Sequence, residues 1–390
     1  MHCALRIGTL VASPRRWRDR LMSQRERFRF PYMFWAHTES WKSPYCLSQS
    51  GMPAPDTDLF EGLGVDLTDP TAEAMPELAE RIGELLAVDP ARVLVTPGAS
   101  AAMHLCALRY FRPGTRVVAD VPSYEPFRAL PAYLGAELAL VRRRPEHGWT
   151  VDPVEVRARL AGAEGPGHLF LTNPNNPTGA LMEPERVRGL ADEAGRAGGV
   201  LVSCEVYTEY LPPDARSHAF ALAPNAISIG SLTKAYGLGP LRIGWLVLGE
   251  GLTDEMAHLV DMSYLAYVDP PTVSLRAGAR ALEHLPELLQ PLRRIEQESR
   301  PAWARWLSET AGIETVVPEH GIIAFPRVVG VEDTATLVQF LQRDWQVDVV
   351  PGEFFGLPGH LRVGCGVPSE TLTEGLQLLD RGIRAFREAP

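Results

Sequence analysis

Lys234 stands in the run Ser231-Leu232-Thr233-Lys234-Ala235-Tyr236-Gly237-Leu238-Gly239-Pro240-Leu241-Arg242-Ile243-Gly244-Trp245, with no acidic residue between it and Arg242. A lysine amine attacks carbonyls only when unprotonated, and burial beside another cation lowers its pKa toward that state. Ser231, Thr233 and Arg242 add two hydroxyls and a guanidinium, which is the chemistry of a phosphate pocket. A carbonyl-reactive lysine beside a phosphate site is what pyridoxal phosphate requires. Taken alone, the same run also fits a glycine-rich surface loop with an ordinary lysine.

Other stretches narrow the choice. Gly98-Ala99-Ser100 falls between a strand pattern and a helix pattern, so its backbone amides offer either an anion site or an ordinary helix cap. Tyr124, after Pro122-Ser123, can stack on a planar ring or simply pack. Asn173-Pro174-Asn175-Asn176-Pro177-Thr178-Gly179 makes a rigid turn from which Asn176 can bond a phenolic oxygen, and Tyr207 can supply a second donor. In His360-Leu361-Arg362-Val363 a single arginine sits in an apolar strand, where it requires a carboxylate from the protein or from a substrate.

The elements that must hold these residues alternate. Helical spacing over 76–88 is followed by strand 92–96, helix 100–110 and strand 116–119. Strand 138–141, helix 153–160, strand 168–172, helix 184–197 and strands 200–204, 226–229 and 245–248 continue the series. Short apolar strands between helices predict an α/β domain with a mostly parallel sheet covered on both faces. Ligands of such a sheet bind beyond the carboxyl ends of its strands. After about Pro270 the pattern becomes a helical region over 273–309, broken near Pro286, Pro291 and Pro301. Strands 314–317, 322–327, 347–350 and 361–364 and helices 335–344 and 372–387 follow, which together describe a smaller α+β C-terminal domain. The expected division is an N-terminal arm over 1–50, a large cofactor-binding domain over 51–270 and a small domain over 271–390.

Composition bounds the function. The chain has 390 residues, 45% hydrophobic and 22% charged, as a soluble protein with a large core has. A net charge of -10 speaks against nucleic-acid binding. Five scattered cysteines form neither a disulfide framework nor a zinc pattern, so no metal is expected and the cytoplasm is the default compartment. No stretch is long and apolar enough for a membrane span. The first thirty residues carry eight arginines against Asp19 and Glu26, and read as a solvated basic arm.

In this order, the motifs over about residues 45 to 385 resemble the class I and II aminotransferases, the fold-type-I pyridoxal-phosphate enzymes. The most specific are the S-x-[ST]-K…R spacing and the N-N-P-T-G turn. The resemblance implies the aminotransferase fold type I, a homodimer, and a small-molecule L-amino acid as substrate. It implies that Lys234 forms an imine with pyridoxal phosphate and later moves the Cα proton. Ala99, Ser100, Ser231, Thr233 and Arg242, with Gly98, hold the phosphate. Tyr124 stacks on the ring, Asn176 and Tyr207 bond its phenolic oxygen, and Arg362 binds the substrate carboxylate with Gly51 and Asn176 on the substrate side.

The chain also departs from the family. Asp-Glu-x-Tyr, whose Asp pairs with the pyridine nitrogen, is here Cys204-Glu205-Val206-Tyr207. Three states are open: a thiolate paired with pyridinium, a neutral thiol, or a register shift that brings Glu205 into the position. A weaker electron sink shifts weight from transamination toward elimination, replacement or cyclisation. Thr68-Asp69-Pro70-Thr71-Ala72 lacks the tyrosine that in the family reaches the neighbouring subunit's phosphate. Leu47-Ser48-Gln49-Ser50-Gly51-Met52 has a Ser-x-Ser-Gly character similar to amino-acid cyclases of natural-product pathways. The expected function is an aminotransferase; the alternatives are a lyase or cyclase on the same scaffold and a pyridoxal-phosphate-binding regulator without turnover. Tyr32, Phe34, Trp35, Trp41, Tyr264 and Tyr267 are candidate side-chain determinants.

Overall fold

The computed structural model describes residues 30–40, 42–55, 57–64 and 68–388. The basic stretch up to Arg29 and Trp41 lie outside the described residues. The chain separates into two units. One ends at Glu39 and carries the helix Pro31–Thr38, which includes Tyr32, Phe34 and Trp35; the other begins at Ser40.

The strands in chain order are β1 Tyr45–Cys46, β2 Val93–Thr96, β3 Arg116–Val121, β4 Glu137–Arg142, β5 Gly167–Thr172, β6 Leu201–Cys204, β7 Ala226–Ser231 and β8 Gly244–Leu248. They continue with β9 Ile313–Glu314, β10 Ile323–Ala324, β11 Arg327–Val328, β12 Val347–Asp348, β13 Val350–Pro351 and β14 Leu361–Gly364. Seven of them form one sheet in the order β2-β8-β7-β6-β5-β3-β4. β8 is antiparallel to both its neighbours, and every other pair is parallel. The mostly parallel α/β sheet expected from the alternating pattern is therefore present.

Every residue of β5 and β6 is buried, because helices cover both faces. Side-chain alternation divides the strands between two cores. Phe170, Val202, Cys204, Ile227 and Ile229 pack with Met103, Cys106 and Ala107 of the helix Ala99–Tyr110 and with Leu259 of the helix Met256–Ala266. Leu169, Leu171 and Leu201 pack with Val156 and Leu160 of the helix Pro153–Leu160 and with Leu190 and Ala194 of the helix Pro184–Arg196.

The later strands are shorter than their apolar runs suggest. The expected strand over 322–327 divides into β10 and β11 at Phe325-Pro326, and that over 347–350 into β12 and β13. β10, β14 and β13 form an antiparallel sheet, and β1 pairs in parallel with β12. Pro301 does not break its helix. It lies in the first turn of Arg300–Glu309, after a π-helical turn over Ile295–Ser299, where a missing N–H costs little. Among the described residues, no helix is long and apolar enough to cross a membrane, and no group of His, Cys, Asp and Glu is arranged to hold a metal ion.

Candidate active site

The carboxyl ends of the central strands define the site. Strand register lines up Ser231 of β7, Gly244 of β8 and Thr96 of β2 as direct neighbours. The helix Ala99–Tyr110 begins just past β2, with Gly98 at its N-cap and φ +84°. A Cβ on Gly244 would lie 2.4 Å from the Ala99 nitrogen, and one on Gly98 would lie 2.5 Å from the Arg242 guanidinium. Only glycines let these backbones and the arginine converge. Arg242, itself at φ 54°, reaches the Pro97 carbonyl at 3.5 Å, and the Ser231 hydroxyl accepts the Thr233 N–H at 3.3 Å. A helix N-terminus, a guanidinium and small hydroxylated residues gathered at adjoining strand ends make a cradle suited to a phosphate dianion.

The Lys234 amine is buried close to the cradle. Burial, reinforced by Arg362 and Arg242, pulls its amine from 10.5 down to about 8, with Cys204 opposing. Its Nζ contacts the Ser50 hydroxyl at 3.2 Å, and its carbonyl accepts the Met52 N–H at 2.8 Å. Gly51 lies alongside, where a Cβ would come 3.5 Å from Lys234 Cδ. Ser50 is the functional candidate that sequence reasoning passed over; its signal was the serine in Ser48-Gln49-Ser50-Gly51, read as segment character rather than as a residue.

Arg362, on β14, is buried and donates to the Asn176 side-chain oxygen at 2.9 Å and to the Ser48 carbonyl at 2.6 Å. Its guanidinium also stands 5.3 Å from the Phe355 ring centroid. Asn176 Nδ2 donates to the Tyr207 hydroxyl at 3.1 Å. Arg362, Asn176 and Tyr207 thus form one hydrogen-bonded chain joining β14, the Asn-Pro turn and the segment after β6. Tyr124 and Ala99 border the core that contains Cys204. Ser100 is exposed in the first turn of its helix. Tyr264 is also exposed, on the helix Met256–Ala266.

Of the three states open for the position that ends β6, the structure removes the register shift. Cys204 pairs in register with Thr172 and Ile229, and burial pushes its thiol up to about 12, which favours the neutral form in the protein alone. Glu205 points to the opposite face, where its carboxylate accepts from His218 Nδ1 at 2.8 Å and from the Ala219 N–H at 2.9 Å. There is no bulge at this point, and Glu205 does not take the place of the missing aspartate.

The turn bearing Asn176 is anchored by a buried ion pair. Arg143 donates to the Asp120 carboxylate, to the Trp149 carbonyl at 2.7 Å and to the Thr172 carbonyl at 3.3 Å, and Asn175 reaches the same carboxylate at 3.3 Å. Asn175 in turn accepts from the Thr178 hydroxyl at 2.7 Å, and Gly179, at φ +73°, leaves no room for a Cβ against the Ile323 carbonyl. Arg143→Met strands a carboxylate with no water access. It is expected to cost about 3–5 kcal/mol, measured by urea unfolding.

Residues 68–379 match the family model described as Aminotransferase class I and II. The chain belongs to the class I and II aminotransferases. It is 33% identical over 289 residues to capreomycidine synthase of Streptomyces vinaceus, covering 73% of this chain and 72% of that protein. It is 30% identical over 299 residues to a histidinol-phosphate aminotransferase of Symbiobacterium thermophilum, covering 75% and 77%. A crystal structure of a PLP-dependent aminotransferase from Streptococcus suis superposes with a TM-score of 0.82 at 25% identity, covering 93% of this chain and 99% of that one.

Membership in the class I and II aminotransferases makes this chain a pyridoxal-phosphate-dependent enzyme acting through an amino-acid substrate. The residues present fit that cofactor: a low-pKa lysine, a helix-start anion cradle completed by Arg242, and the Asn176–Tyr207 pair at hydrogen-bonding distance from each other.

Proposed function

We propose that the chain transfers the amino group of a small-molecule L-amino acid whose carboxylate binds Arg362, with Lys234 as the group that takes and returns the Cα proton. The observation that carries this reading is the burial of the Lys234 amine, held by Ser50 and under the charges of Arg362 and Arg242, which lowers its pKa to about 8. When bound, pyridoxal phosphate supplies the electron-withdrawing ring that makes the amino-acid Cα–H acidic. Gly98, Ala99, Ser100, Ser231, Thr233 and Arg242 would hold its phosphate. Tyr124 would cover the ring face, Asn176 and Tyr207 would bond the phenolic oxygen, and Gly51 would line the substrate side. The same reading takes residues 51–270 as the cofactor-binding domain, 271–390 as the small domain and 1–50 as an arm, in a cytoplasmic homodimer.

Cys204 favours a second reading on the same site, in which the Cα carbanion expels a β-substituent, or a further deprotonation at Cβ lets a γ-substituent leave, with replacement or ring closure to follow. A neutral thiol stabilises a pyridinium less than a carboxylate does, so charge is drawn less deeply into the ring. The likeness to capreomycidine synthase supports this reading. Incubating the holoenzyme with candidate amino acids separates the two. Formation of a 2-oxo acid without ammonia supports amino transfer, while ammonia or a cyclised product overturns it in favour of elimination.

Arg362→Lys replaces a planar donor fork by a point charge and is expected to raise KM for the amino acid roughly 10- to 100-fold, with a smaller fall in kcat. Steady-state kinetics read both parameters.

A further inference from the structure

We propose that Ser50 is a further catalytic residue, its hydroxyl oxygen accepting the N–H of Lys234 and holding the ammonium that forms when the lysine takes the substrate proton. This rests on the reading of Lys234 as the proton carrier.

The contact is made by a fixed segment. Lys234 Nζ lies 3.2 Å from Ser50 Oγ, and Ser50 is buried at 7% exposure. On one side of the segment, the Gly364 N–H donates to the Leu47 carbonyl at 2.7 Å and Arg362 donates to the Ser48 carbonyl at 2.6 Å. On the other, the Met52 N–H donates to the Lys234 carbonyl at 2.8 Å. The Ser48 hydroxyl is tied to Asp348 at 2.8 Å. Residues 47–52 therefore run from the proposed carboxylate-binding arginine to the proton-carrying lysine, and both ends of the run are hydrogen-bonded to the elements they bridge.

The electrostatics explain why an acceptor is needed at this point. Arg362 and Arg242 both repel a positive charge on Nζ, and burial withholds water from it. A lysine so placed holds a proton less tightly than a solvated one, yet each turnover requires it to become an ammonium while the substrate proton rides on nitrogen. An acceptor already in position lowers the energy of that state without reorganisation. The proton balance is closed: the Cα–H bond breaks, the proton joins the Nζ lone pair, and one N–H of the resulting ammonium points at Ser50 Oγ. The serine keeps its own proton throughout.

Two measurements test the assignment. In the apoenzyme, the pH dependence of Lys234 acylation by acetic anhydride, read by mass spectrometry of the Lys234 peptide, reports the ionisation of Nζ with no cofactor present. Ser50→Ala is expected to lower that midpoint by about 1 pH unit, because the ammonium loses an acceptor. An unchanged or raised midpoint overturns the proposal. In the holoenzyme, exchange of the amino-acid Cα–H with deuterated solvent is expected to slow about 10- to 100-fold in Ser50→Ala while cofactor absorbance is unchanged. Exchange within twofold of the wild type would overturn it. Should Ser50→Ala not fold, Ser50→Thr and Ser50→Val make the same comparison at equal volume, with the hydroxyl variant expected to behave as wild type. A wild-type enzyme whose Lys234 midpoint depends on Ser50 but which exchanges no amino-acid Cα–H supports the serine contact and refutes the functional reading.

Discussion

Lys234→Ala is expected to abolish turnover, with kcat falling at least about 10⁴-fold, and to remove the absorbance of the covalently held cofactor while leaving the fold intact. In this reading the lysine is both the covalent anchor and the proton carrier, and the cations that act on it, Arg362 and Arg242, carry no amine that could take its place. Loss of function should therefore exceed what the loss of one hydrogen bond explains. The pH dependence carries a second expectation. Because Nζ ionises at about 8 rather than 10.5, capture of pyridoxal phosphate by the apoenzyme should rise with pH up to about 8 and level off above it. The sign follows from the amine being the reactive form: lowering pH through 8 protonates it and slows capture. Stopped-flow absorbance checks this, and a profile still rising steeply at pH 10 would mean that the lysine is solvated like a surface residue.

The second large effect is expected from Cys204→Asp. A carboxylate at the end of β6 would face the pyridine nitrogen as an anion, and opposite-charge stabilisation would keep that nitrogen protonated. Amino transfer should then gain on elimination or cyclisation, with the product ratio shifting roughly 10-fold or more in its favour. Cys204→Ser is the control, since a hydroxyl is as neutral as the buried thiol and should leave the ratio close to that of the wild type. Product analysis on a single substrate reads both variants, and an unchanged ratio in Cys204→Asp would refute the role given to this residue. The substitution should also make the apoenzyme less stable than its parent, because the new carboxylate is buried without its cationic partner; added cofactor should restore the difference.

The fold was legible in the sequence where apolar runs and helical spacing alternated. That pattern is strong in the first domain because β5 and β6 are buried on both faces, leaving unbroken apolar runs between amphipathic helices. It was weaker after residue 310, where strands of two residues carry too little period to mark their own ends, and Pro326 divides one run into β10 and β11. The helices Pro126–Tyr133 and Met256–Ala266 were not anticipated; the first contains Pro131, and the second shows little contrast between its faces.

Residue identity alone pointed to the cofactor. Lys234 with Ser231, Thr233 and Arg242, and the turn bearing Asn176, are local in the chain, and their chemistry follows from side-chain type and spacing. The state of Cys204 and the partner of Lys234 Nζ were not local. Whether the thiol ionises depends on how completely the helix Ala99–Tyr110 and its neighbours exclude water from the end of β6. That Glu205 cannot substitute depends on His218 and Ala219 claiming its carboxylate on the far face. That Ser50 meets Lys234 depends on two segments 184 residues apart in the chain being stitched together beside β14. Desolvation and long-range contact are properties of the packed chain, so only the tertiary structure could decide them.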